Sequence, residues 1–240
     1  MGIIDRQSIE EIASGFQSKR LFYPCAGKDI VDPIKTFLPF IDEFWFIDLN
    51  RFDVKELLAE QEIEFLQHDR SEITGYYLRD KNEPFRLRND CFVCRHIPTD
   101  SQFTINYCCG PRSGYNAFRA VVKDPGNPLS VFYYRGDSPG EGGSGFRWTD
   151  RKMLRYVLAE IEPGGMLVTD GSMAHPGLST FCGQSSEHKP NTLEEARAIV
   201  NASPAFDYRS WHLECIAYLG HRYGPTLAWR VDRKNAEATR

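Results

Sequence analysis

The chain lacks any long hydrophobic run, and its opening residues, Met1-Gly-Ile-Ile-Asp-Arg6, carry no apolar core of secretory-signal length. Neither a membrane span nor export is expected, which leaves the cytoplasm as the expected location. The chain also lacks surplus positive charge: 33 acidic against 29 basic residues give a net charge of -4. Phosphate backbones and anionic lipids therefore exert no bulk attraction, so no nucleic acid is expected and a small-molecule partner fits better. Internal repeats and low-complexity tracts are missing, as is the Gly-Lys-Ser/Thr ending of a phosphate-binding loop. The seven cysteines are odd in number and sit mostly in apolar runs, which points to reduced thiols rather than a disulfide framework.

What is present is a globular composition, 41% hydrophobic and 26% charged, with enough apolar residues for a large core. We read one α/β domain over residues 1–240, with a flexible tail at 234–240. Its segments alternate. A helix at 7–15 precedes an apolar strand at 20–24, and Asp32 and Pro33 suit the N-cap and first turn of the next helix. Residues 43–48 are aromatic with almost no polar alternation, as in a strand buried on both faces of a parallel sheet. A helix at 54–60 and an antiparallel insertion over about 62–97 follow. Core strands are expected at 102–108 and 129–135, with helices at 114–122 and along the stripe Met153, Leu154, Val157, Leu158 and Ile161. A Pro163-Gly-Gly165 turn then leads into a strand at 166–170, Glu194 is placed for a capping box, and strands at 211–219 and 225–231 form a terminal hairpin.

Three motifs in this order carry a resemblance: Tyr23-Pro-Cys-Ala-Gly-Lys-Asp29 after the first strand, Phe46-Ile-Asp48 at the end of the second, and Ile161-Glu-Pro-Gly-Gly-Met-Leu-Val168. Together they resemble the class I S-adenosylmethionine-dependent methyltransferases. The resemblance implies a seven-stranded, mostly parallel Rossmann-like sheet with helices on both faces, a terminal antiparallel hairpin and a small β insertion. It also implies that Tyr23, Pro24, Cys25, Ala26, Gly27 and Asp29 approach the methionine part of S-adenosylmethionine, and that Asp48 takes the ribose hydroxyls. Asp48 follows Gly27 by 21 positions, close to the spacing of about 20 that one helix and one strand impose in a nucleoside-binding βαβ unit. The first loop has a single glycine, with Pro24 and Lys28. A noncatalytic domain that binds a partner protein or another nucleoside is the alternative reading.

Residues 136–145 contain five glycines and make an adaptable rim where such enzymes place acceptor-side residues. Asp137 is the candidate general base there, with Ser138 or Glu141 orienting the acceptor; a solvated loop is the plain alternative. Asp137 and Asp170 both end expected strands, where a hard cation can sit, although a turn at Asp170-Gly171 explains the second acid as well. Cys91 and Cys94, with His96, Cys108 and Cys109, invite a zinc reading, but the run lacks a glycine-bearing knuckle and no metal is expected. His175, Cys182 and His188 occupy a polar stretch expected to be a surface loop.

Overall fold

The computed structural model describes residues 3–76, 84–110, 112–135, 146–171, 174–179, 189–221 and 224–234. In chain order its elements begin with α1 (Arg6–Ala13), β1 (Arg20–Pro24), α2 (Val31–Phe37), β2 (Glu43–Asp48), α3 (Val54–Leu57), β3 (Ile63–Tyr76), β4 (Pro84–His96) and β5 (Ser101–Cys109). Next come α4 (Ser113–Phe118), continued by a π-helical turn at Arg119–Lys123, then β6 (Leu129–Tyr134), α5 (Leu154–Ala159) and β7 (Ile161–Thr169). The chain closes with α6 (Pro176–Ser179), α7 (Leu193–Asn201), β8 (Phe206–Tyr208), β9 (Trp211–His221) and β10 (Pro225–Arg233). Two compact units result, Ser18–Leu129 and the combination of Met1–Gln17 with Ser130–Arg240.

In the unit Ser18–Leu129 the strand order is β3-β4-β5-β2-β1. Apolar β1 and β2 pair in parallel with Tyr23 opposite Phe46, and β2 pairs in parallel with β5, Asp48 opposite Cys109. The remaining two ladders, β5 with β4 and β4 with β3, are antiparallel. The helix α2 supplies the crossover that parallel β1 and β2 require. The buried aromatics lie on both faces of these strands: Phe22 meets Phe118 of α4 edge-on at 5.5 Å on one, and Phe44 stacks on Phe46 at 6.0 Å on the other. A β-bulge between Phe65 and Gln67 interrupts the β3 ladder.

In the other unit the order is β6-β7-β10-β9-β8, with β10 antiparallel to both β7 and β9, and β8 antiparallel to β9. Asp5 caps α1 through Ser8 and takes two bonds from Arg197 of α7, at 2.9 and 3.1 Å. The buried Glu162 carboxylate accepts from Ser130 Oγ at 2.6 Å and from the Gln17 amide at 3.1 Å.

This architecture corrects the expected seven-stranded, mostly parallel Rossmann-like sheet: the described residues form ten strands whose pairing is mostly antiparallel. Two local causes account for the difference. The stretch at 62–97 is no small insertion, because it forms 14- and 13-residue strands that carry the sheet outward from β5. Pro163-Gly-Gly165 is no turn either; it lies inside β7, where a side chain on Gly165 would stand 2.9 Å from the Ser130 carbonyl. Helix limits also shift. The residue before α2 is Ile30, without a side-chain cap, so Asp32 sits in the first turn instead. Ile161 belongs to β7 rather than to α5.

Candidate functional site

The carboxyl ends of β1, β2 and β5 bring together most of the residues that the sequence marks out. Beyond Pro24 the chain turns with Cys25 and Gly27 at φ 60° and 55°. Glycine adopts that conformation freely, but for cysteine it costs about 1 kcal/mol, a strain held in place by the hydrogen bonds around it. The Ala26 amide donates to the Ile47 carbonyl at 2.9 Å, extending the β1–β2 ladder into the loop, and Asp29 N donates to Ala26 O at 2.9 Å. The Tyr23 hydroxyl donates to Asp29 Oδ2 at 3.0 Å. These bonds fix the loop as a rigid rim.

Asp48 stands at the end of β2 and meets that rim directly. Its Oδ2 accepts the Gly27 amide at 2.8 Å, and its Oδ1 accepts the Asn50 amide at 2.9 Å. The Asp48 carbonyl in turn accepts from Ser113 Oγ of α4 at 2.6 Å. A carboxylate offers about four acceptor positions, so two remain beyond these amides. Tyr107 of β5 closes the floor: its hydroxyl donates to the Gly27 carbonyl at 3.1 Å, and Phe52 meets its ring edge-on at 6.5 Å. Burial, followed by the charge of Asp48, pushes the Tyr107 phenol far above its usual range, so it stays a neutral donor. Lys28 places its ammonium over the Phe52 ring at 5.6 Å.

Sequence reasoning missed the residues beside Tyr107. In the sheet register Tyr107 lies opposite Asp90, and Asp90 opposite Arg70; Asp48 lies opposite Cys109, and Cys109 opposite Arg88. Because strand side chains alternate, all of these point to one face. The 6%-exposed Asp90 side chain gathers Arg70 Nε at 3.1 Å, Arg88 Nε at 3.2 Å, Arg51 Nε at 3.5 Å and His68 Nε2 at 3.0 Å. Burial alone would raise the Asp90 carboxyl, yet the His68 and Arg88 hydrogen bonds and the charges of Arg88 and Arg51 outweigh it and hold the group below the usual carboxylate range. His68 is further fixed by stacking on Phe92 at 4.2 Å. The only trace of this cluster in the sequence is the spacing of two between His68 and Arg70, and between Arg88 and Asp90.

Other candidates separate from this site. Asp137, Ser138 and Glu141 lie outside the described residues, as do Cys182 and His188. Asp170 is buried just beyond β7, where Gly171 turns with φ 73°. His175 stacks on Phe206 at 5.4 Å and accepts the Gly177 amide on Nδ1 at 3.1 Å, and burial, with the Arg151 charge, lowers its pKa. Those contacts use the ring to hold its own segment. Among the described residues no three His, Cys, Asp or Glu side chains converge as a metal ion would require. Cys94 is buried and its thiol is pushed up to about 12, mainly by desolvation. A separate cleft of about 440 Å³, lined by Arg155, Tyr156, Arg209, Ser210 and Trp211, contains none of the residues marked from sequence. No helix among the described residues is long and apolar enough to cross a membrane. No protein-family model matches the chain, and no curated protein matches it either.

Proposed function

We propose that the rim formed by Tyr23, Pro24, Cys25, Ala26, Gly27, Asp29 and Asp48 binds S-adenosylmethionine and that the protein transfers its methyl group to a small molecule. The observation that carries this reading is the Gly27–Asp48 hydrogen bond. It joins the first strand-to-helix loop of a parallel β1–β2 pair to the acid ending the second strand, and nucleoside ligands settle at that end of parallel strands. The two acceptor positions left on Asp48 match a ribose diol, and backbone at Gly27 has no side chain to obstruct a close approach. The strained φ of Cys25 fits the tendency of such strain to collect at ligand sites. When bound, the cofactor would supply an electrophilic methyl carbon on sulfur; the acceptor would give up a proton and S-adenosylhomocysteine would leave.

One observation favours the noncatalytic alternative: both Asp48 oxygens already accept backbone amides, which is a sufficient structural role for the side chain. Calorimetry with S-adenosylhomocysteine separates the two readings. The enzyme reading expects saturable binding that weakens by about 1.5 to 3 kcal/mol, more than tenfold, in Asp48→Asn, which removes the charge but keeps one acceptor oxygen. Absence of binding by the wild-type protein, or an unchanged affinity in a variant that melts normally, removes the cofactor assignment.

A further inference from the structure

The Asp90 cluster contains more cation than its carboxylate needs. A single bidentate arginine satisfies an aspartate, yet three guanidiniums and an imidazole converge here. Arg51 and Arg70 touch Asp90 through Nε alone, so among the described residues their terminal nitrogens make no hydrogen bond. Their side chains are 50% and 61% exposed, and that of Arg88 is 36% exposed, which leaves these donors open to solvent. Three guanidiniums against one carboxylate leave two excess positive charges before the imidazole is counted. Of the acids on the same face, Glu72 stands opposite Arg88 in the ladder but pairs with Arg86 at 3.6 Å, and Asp48 lies two strands away from Asp90. Holding like charges together is unfavourable, and a buried carboxylate that fixes three forks at one spot prepays the cost of assembling them around an anion.

We propose that Arg51, Arg70 and Arg88, gathered on Asp90, form a binding site for the phosphate group of a small phosphate monoester. The chemistry selects this class. The free donors are forked N–H pairs on two guanidiniums, the excess charge is two, and a phosphate monoester offers three acceptor oxygens and close to two negative charges at neutral pH. A hydrocarbon or a cation finds nothing to hold it here. Asp90 lies two strands across from Phe46, two residues before Asp48 on β2, which puts the two aspartate positions about 12 Å apart on the same face. A ligand anchored by phosphate at Asp90 therefore extends past Cys109 and Tyr107 toward the rim at Gly27. Assigning that ligand as the methyl acceptor rests on the adenosylmethionine reading; the phosphate site itself does not.

The test is calorimetric titration of the full chain with inorganic phosphate and, separately, with ribose 5-phosphate, against sodium chloride at matched ionic strength and against ribose. Saturable binding of either phosphate, absent with chloride and with ribose, is expected; tighter binding of ribose 5-phosphate identifies a phosphorylated molecule, rather than the free ion, as the natural occupant. The double substitution Arg51→Gln and Arg70→Gln leaves the Arg88–Asp90 pair in place and is expected to weaken phosphate at least tenfold while S-adenosylhomocysteine affinity stays within twofold. The single variant Arg70→Gln, at the most exposed of the three, guards against misfolding and should weaken phosphate at least threefold with an unchanged melting temperature. Heats indistinguishable from chloride, or equal affinity in wild type and both variants, overturn the proposal. So does a single-stranded oligonucleotide that binds far more tightly than ribose 5-phosphate, since it makes the cluster a backbone contact. Because phosphate is measured without adenosylmethionine, failure of the cofactor reading leaves this result standing, and the reverse also holds.

Discussion

Asp48 and Asp90 lie on one face of the same five-stranded unit but are held in opposite ways. Backbone amides from Gly27 and Asn50 grip Asp48, so its position follows from the course of the chain in two adjacent segments. Side chains from two strands and a loop grip Asp90, so its position follows from how distant segments register against each other. An amide-held carboxylate shapes a loop and keeps its charge available to a ligand. A guanidinium-held carboxylate has its charge consumed and hands a net positive charge to its surroundings. One face thus carries a rim suited to hydroxyls and, two strands away, a patch suited to anions.

The contrast can be broken most severely at Asp90. Asp90→Ala should cost about 3 kcal/mol in urea unfolding, because three clustered cations lose the charge that holds them together. A loss under about 1 kcal/mol would show that the arginines stand without it. The same group gives a pH signature. Its folded pKa is lowered, so its contribution is complete above the unfolded value of about 3.9 and is lost as pH falls through the folded value. Asp90→Asn should therefore flatten the acid limb of a stability-against-pH curve relative to wild type; parallel curves would remove the linkage.

Asp48→Ala is expected to cost less, about 1.5 kcal/mol, since water can reach the released amides at this half-buried position. Equal losses at the two aspartates would erase the distinction between them. Tyr107→Phe sits between the two sites and should cost about 1 kcal/mol, the worth of its bond to Gly27. If it also lowers S-adenosylhomocysteine affinity while leaving phosphate binding alone, the sites act separately. The smallest effect belongs to Lys28→Met, about 0.5 kcal/mol from the contact with Phe52.

The same division explains what could be read from sequence. The strand limits of β1 and β2 were legible because both are short uninterrupted apolar runs, and the Gly27–Asp48 encounter was legible because one helix and one strand separate them. The long hairpin was legible as antiparallel but not as a major extension of the sheet, since the polar run Gln67 to Glu72 does not announce a strand that continues through it. Pro163-Gly-Gly165 carries turn chemistry, and the close approach of Ile161, Glu162 and Ser130 to Gly165 explains glycine inside a strand. The arginine cluster was invisible for a different reason: Arg51, Arg70 and Arg88 belong to different segments, and their meeting depends on register, which composition and periodicity do not encode.

The bulge between Phe65 and Gln67 has a further consequence for β3, whose only neighbour strand among the described residues is β4. A 14-residue strand with an open side is a template on which foreign chains can add and aggregate. Here the bulge breaks the run of free backbone groups, and Glu64, Asp69, Arg70 and Glu72 stud the strand with charge of both signs. Bulge and charge together disfavour strand addition, so association with another polypeptide is steered away from this border of the sheet.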